Sequence, residues 1–199
     1  MRFPMPVRTA ASVLALSLAA GASPFLAGCA PAIIAVGVGA GALVIADRRS
    51  TGAQVDDETI ELKVSTSAGT KYGDRIHLNV TSFNGIVLLS GEAPTINIAD
   101  DLAQLAKTAD RVRTVHNEVV IGANSDLGAR SSDTVITSKV KARFVEGNRF
   151  PANYVKVVTE RRVVYLMGIV SRQEATAAAE IAATTSGVAR VVKLFEYTN

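Results

Sequence analysis

Ile86-Val87-Leu88-Leu89-Ser90-Gly91 and Val163-Val164-Tyr165-Leu166-Met167-Gly168 are two apolar runs of equal length, each ending in glycine. Four further matches share their spacing. Asp57 and Ile60 answer to Asp133 and Ile136, Lys63-Val64 to Lys139-Val140, Leu78-Asn79-Val80 to Val155-Lys156-Val157, and Val112-Arg113-Thr114-Val115 to Val188-Ala189-Arg190-Val191. Each match lies 76 or 77 residues along the chain from its partner. Order and spacing that hold over so many steps mark an internal repeat, two small units rather than one large core.

Each unit reads helix, strand, strand, helix, strand. In the first, Asp56 and Asp57 are placed to cap a helix running to about residue 66. Ile76, Leu78 and Val80 alternate with His77 and Asn79, the period of a half-buried strand, and Asn84-Gly85 provides a hairpin turn. A strand over 86–89, a helix over 95–109 and a strand over 115–121 follow. The second unit gives a helix over 134–145, strands over 154–159 and 163–167, a helix over 172–185 and a strand over 188–197. The predicted fold class is α+β, two tandem αββαβ domains, each a three-stranded sheet with two helices on one face.

The chain opens with a different signature. Arg2 and Arg8 precede an apolar stretch over 10–22, and small residues lead to Leu26-Ala27-Gly28-Cys29, the only cysteine in 199 residues. Those three parts make a secretory signal, and Leu-Ala-Gly-Cys in that place resembles a bacterial lipobox. The resemblance implies cleavage before Cys29, with diacylglycerol on its sulfur and an acyl group on its new amine. No other cofactor is expected. Two or more chains anchor stably where one is marginal. Ala30 follows, not the Asp that resembles an inner-membrane retention signal, so the expected location is the periplasmic face of the outer membrane. The next residues, 30–46, are apolar with Gly37, Gly39 and Gly41. They are at the lower length limit for a spanning helix and weakened by glycine, and are expected to be a membrane-hugging or loose spacer. The domain plan is signal peptide 1–28, lipidated spacer 29–53, first domain 54–124, linker 125–130 and second domain 131–199.

The αββαβ repeat, the Gly187-Val188-Ala189-Arg190-Val191 entry to the last strand and the glycines Gly91 and Gly168 resemble the BON domain. A lipobox followed by two such domains is similar to the dual-BON outer-membrane lipoproteins. The resemblance implies a protein that binds anionic phospholipid through its second domain, gathers at the division site and supports outer-membrane integrity. Arg161-Arg162 and Arg111 depart from the glycine-containing turns of the pattern, which leaves the local turn geometry open.

Charge divides the two units. Residues 54–124 hold six basic and ten acidic side chains, net −4, while residues 131–199 hold ten basic and six acidic, net +4. The second unit therefore suits an anionic surface. In its first helix Ile136, Val140 and Phe144 share one arc and should face the sheet. The opposite arc carries Val135, Ser138, Ala142 and Val145, with Lys139 on one side and Lys141 on the other, the candidate lipid-binding face. An ordinary solvated helix face, or one covered by the first domain, is the competing expectation. The first helix of the other unit presents Glu58 and Glu61 there instead.

No catalytic or metal site is expected, nor a small-molecule substrate. His77 and His116 sit outward on strands without a nucleophile motif or an obvious ligand cluster. Nucleic acid is a poor partner for a modest basic balance and six scattered phenylalanines and four tyrosines. The partner classes left are an anionic phospholipid membrane and, as an alternative, a protein partner such as outer-membrane assembly machinery.

Overall fold

The computed structural model describes residues 47–198. Residues 1–28, read as a signal peptide, Cys29 and the expected spacer over 30–46 lie outside the described residues. Two sheets of three strands each carry two helices, the α+β arrangement read from the repeat.

In domain 1, α1 (Thr51–Tyr72) is followed by β1 (His77–Phe83), β2 (Ile86–Ala93), α2 (Ile96–Lys107) and β3 (Thr114–Ile121). Domain 2 repeats this with α3 (Leu127–Gly147), β4 (Lys156–Glu160), β5 (Val163–Val170), α4 (Arg172–Ala183) and β6 (Arg190–Tyr197). In each sheet the middle strand pairs antiparallel with the first and parallel with the third. The helices cover one face. Ile60, Val64, Leu102 and Ala106 meet Val87 and Leu89 in domain 1, and Ile136, Val140, Phe144 and Ile181 meet Val164 and Leu166 in domain 2. The recurring glycines have a steric cause: a Cβ on Gly91 or Gly168 would collide with the carbonyl of His77 or Tyr154.

Two expectations are corrected and one open point is answered. Helix α1 begins five residues before Asp56, where Ser50 caps it by accepting from Ala53 N at 3.1 Å, and it runs on to Tyr72 rather than ending near residue 66. The stretch read as a linker, 125–130, is mostly helix: α3 starts at Leu127 under an Asp126 cap that accepts from Ala129 N at 2.7 Å. The arginines that replace turn glycines keep the turns. Arg111, Arg161 and Arg162 adopt left-handed backbone with φ of 66°, 50° and 64°.

Asp57 and Asp133 explain how those turns hold. Each lies inside its helix, buried, and reaches the hairpin of its own sheet. Asp57 accepts from Ser82 Oγ (2.6 Å), Asn84 N (2.7 Å) and Gly85 N (2.9 Å), and pairs with Arg49 at 2.8 Å. Asp133 accepts from the backbone N–H groups of Arg161 (2.8 Å) and Arg162 (2.9 Å). Carboxylate-held N–H groups offset the left-handed strain at the two arginines.

The outer faces of the two sheets meet. Phe83 and Leu88 of domain 1 pack with Tyr165, Met167 and Leu194 of domain 2 in a third buried cluster. Residues just ahead of α1 fasten both sides: Arg48 pairs with Glu174 at 2.7 Å and lies 3.9 Å over the Tyr154 ring, while Arg49 holds Asp57 and lies 4.2 Å over Phe83.

Candidate functional site

Helix α3 owes its orientation to the stripe Asp133, Ile136, Val140 and Phe144, all buried at spacings of three and four. The opposite side is open. Val135 is 50% and Val145 69% exposed, and Ser138, Lys139, Lys141 and Ala142 are exposed as well. Domain 1 therefore does not seal the face. It comes alongside on the Lys141 flank only, where Ser138, Lys141, Arg130 and Thr137 line a cleft of about 570 Å³ with His77 and Asn79. On the other flank Val135 and Lys139 border a shallower depression with Arg162 and Gly187. Ser138 Oγ donates to Thr134 O at 3.0 Å, so its hydroxyl is satisfied within the helix and costs little to desolvate. Neither Lys139 nor Lys141 has a hydrogen bond or ion pair among the described residues.

The remaining basic charge of domain 2 is largely committed. Lys156 meets Glu61 at 2.8 Å, Arg161 meets Glu92 at 3.4 Å and Arg190 meets Glu118 at 3.4 Å, all across the sheet–sheet seam. Arg149 pairs with Glu180 at 2.8 Å, and Arg143 donates to Ile181 O and Thr185 Oγ1. One pair runs the other way, Arg113 of domain 1 with Glu196 at 3.1 Å. Much of the charge asymmetry in the sequence is thus docking between the domains. The two lysines on α3 remain directed at solvent.

The seam also gathers residues that sequence reasoning left apart. His77, Glu92 and Glu160 bring their ligand atoms within 4.8 Å of one another. His77, expected to face outward, does leave its own core but is covered by domain 2. Its side chain is only 16% exposed. Burial pushes the Glu160 carboxyl above its ordinary range, against the pull of Asn79 and His77. The Tyr165 hydroxyl, buried beside Glu118, is pushed up to about 12. The signal for a covered outer face was present: Ile86 to Leu89 and Val163 to Met167 are unbroken apolar runs, the mark of a strand buried on both faces.

The BON domain profile matches residues 56–123 and 132–199. Outer membrane lipoprotein DolP of Haemophilus influenzae is 39% identical over 186 residues, 92% of this chain and 95% of that protein. A 21 kDa hemolysin of Actinobacillus pleuropneumoniae is 37% identical over 153 residues, 76% and 79% of the two chains. Osmotically-inducible protein Y of Escherichia coli is 29% identical over 158 residues, 76% and 78%.

Proposed function

This chain belongs to the BON domain family, as a DolP-like protein with two such domains, and on that premise we propose that it is an outer-membrane lipoprotein whose second domain reads anionic phospholipid. Cys29 carries the acyl and diacylglycerol groups, at the periplasmic face. Val135, Ser138, Ala142 and Val145 of α3 enter the interfacial region while Lys139 and Lys141 lie among lipid phosphates. The protein supports outer-membrane integrity by concentrating where such lipid is enriched, the division site among such places.

The observation that carries this reading is the exposed small-residue strip between two unpartnered lysines. A basic residue near an anionic surface contributes on the order of 1 kcal/mol, so the pair alone binds weakly. Weak recognition suffices for a tethered protein. The acyl chains hold it on the membrane, and the second contact is made at high effective concentration. The helix then biases lateral position rather than membrane residence.

Co-sedimentation of residues 47–199 with vesicles tests it. Binding should require phosphatidylglycerol or cardiolipin, fall with salt and vanish in Lys139→Glu/Lys141→Glu. A fragment indifferent to headgroup, salt and both lysines would end the lipid reading and favour a scaffold that docks an envelope protein. Separately, palmitate labelling should disappear in Cys29→Ala; normal labelling there would end the lipoprotein reading.

A further inference from the structure

His77 from β1, Glu92 from β2 and Glu160 from β4 converge where the two sheets meet, offering one imidazole nitrogen and two carboxylate oxygens within 4.8 Å of one another. Glu92 is fully buried and Glu160 is 5% exposed. Asn79 Nδ2 holds Glu160 Oε2 at 2.6 Å, which leaves Oε1 turned toward His77 Nε2 at 3.9 Å.

Two further observations point to a cation-binding site. Among the described residues the buried charged side chains are Asp57, Glu92, Asp133 and Glu160, all carboxylates. Asp57 has Arg49 and Asp133 has the Arg161 and Arg162 N–H groups, whereas Glu92 and Glu160 lie together at the seam, where the cation in contact with Glu92, Arg161, stands at 3.4 Å with its side chain 49% exposed. Two buried carboxylates, Glu92 and Glu160, against one loosely held positive charge and the Ser125 N–H that Glu92 accepts at 3.2 Å leave room for a divalent ion, since an undercompensated buried charge is costly. In addition, Ser90 Oγ is completely buried and has no hydrogen-bond partner. The β1–β2 register sets Ser90 opposite Asn79 and Glu92 opposite His77, so all four side chains share the seam face.

We propose that His77, Glu92 and Glu160 bind a zinc ion between the domains, with a water as fourth ligand that also gives Ser90 its missing partner. A mixed nitrogen and oxygen set suits zinc, whereas calcium and magnesium favour oxygen alone. Tetrahedral zinc places its ligand atoms about 3.4 Å apart, a closure that side-chain rotation supplies from the present spacing. Asn79 then acts from outside the ligand set by orienting Glu160. Because one carboxylate comes from domain 2 and the other two ligands from domain 1, the ion fastens the docked pair. The inference is independent of the lipid reading.

The test uses the full chain in detergent, without a histidine tag. The protein is stripped with chelator, incubated with zinc chloride, passed over a desalting column and assayed for bound metal. One zinc per chain should be retained, and zinc at a hundredfold excess over its dissociation constant should raise the melting temperature by about 5 °C or more. His77→Gln and Glu160→Gln should lose both effects, while His116→Gln, altering the other histidine, keeps both. If Glu160→Gln fails to fold by circular dichroism, His77→Gln alone decides. Wild-type protein that retains no zinc, or His77→Gln that retains as much as wild type, would overturn the proposal.

Discussion

Helices α1 and α3 occupy the same place in the two repeats and bury nearly the same stripe: Asp57, Ile60, Val64 and Ala68 in one, Asp133, Ile136, Val140 and Phe144 in the other. Their remaining faces diverge. On α1, Glu61 accepts from Ser82 N at 2.8 Å and from Lys156 at 2.8 Å, Lys63 pairs with Asp110, and Arg111 pairs with Asp56. On α3 the corresponding exposed side carries Lys139 and Lys141 without partners. The buried stripe and the aspartate are what the fold demands; the outer face is free to vary, and the proposed lipid contact lies there. On α1 several outer charges are tied down at the seam or within domain 1, while the pair on α3 is unclaimed.

The deepest shared feature should show the largest effect when broken. Asp57→Ala strands three donors and Arg49 and is expected to cost about 3 to 5 kcal/mol in urea unfolding. Asp133→Ala, which frees only two backbone N–H groups, should cost about 2 to 3 kcal/mol. Equal losses would erase the distinction between the repeats. pH sharpens it. Burial pushes the Asp57 carboxyl up, but the donors from Gly85, Ser82, Asn84 and Arg49 outweigh burial and hold it below the ordinary range. A depressed folded value stabilises above the unfolded pKa of about 4, and the contribution is lost as pH falls from there through the folded value. Wild-type stability should therefore drop below about pH 4, and Asp57→Ala should flatten that part of the profile.

The aspartates also show what could be read in advance. Their equivalence was plain from the spacing, as were the helices, strands and the Ile136-Val140-Phe144 stripe, because local periodicity encodes them. Their task was not legible: Asp57 reads as a helix cap and Asp133 carries no reading, since the hairpin each one holds lies 25 or more residues further along the chain. The seam was harder still. His77-Leu78-Asn79-Val80 alternates like a strand with one wet face, and nothing local says that a second sheet covers that face. Only the unbroken apolar runs on β2 and β5 hinted at it. The His77–Glu92–Glu160 grouping draws on both repeats, so no spacing within either could reveal it.

The outer faces of α1 and α3 differ most in their free lysines, which supply the next effect. Lys139→Gln/Lys141→Gln should weaken binding to phosphatidylglycerol vesicles by about 2 kcal/mol, roughly thirtyfold, and leave unfolding unchanged, because neither side chain holds the fold. The matching change on domain 1, Glu58→Gln, should leave vesicle binding alone, and a comparable loss there would move the lipid contact off α3. A gain is also expected. Val135→Phe enlarges the apolar strip and should tighten binding by about 1 kcal/mol, near fivefold, at unchanged salt dependence.

The seam's ion pairs should matter least, and unequally. Arg190 is 60% exposed and reaches Glu118 at 3.4 Å, so Arg190→Ala should shift unfolding by less than about 0.5 kcal/mol. Lys156 is better placed. Its ammonium lies 2.8 Å from Glu61 and also donates to Ser82 O at 3.2 Å, so Lys156→Met should cost about 1 kcal/mol, less at high salt. If instead Arg190→Ala loosened the domains as much as loss of the Leu88–Tyr165–Met167 contact, electrostatics and not apolar burial would be holding them. That outcome runs against the burial pattern: Leu88 and Met167 are fully covered, whereas both partners of the Arg190 pair keep access to water. Opposite net charge then steers and orients the two units, and the apolar patch between the sheets keeps them together.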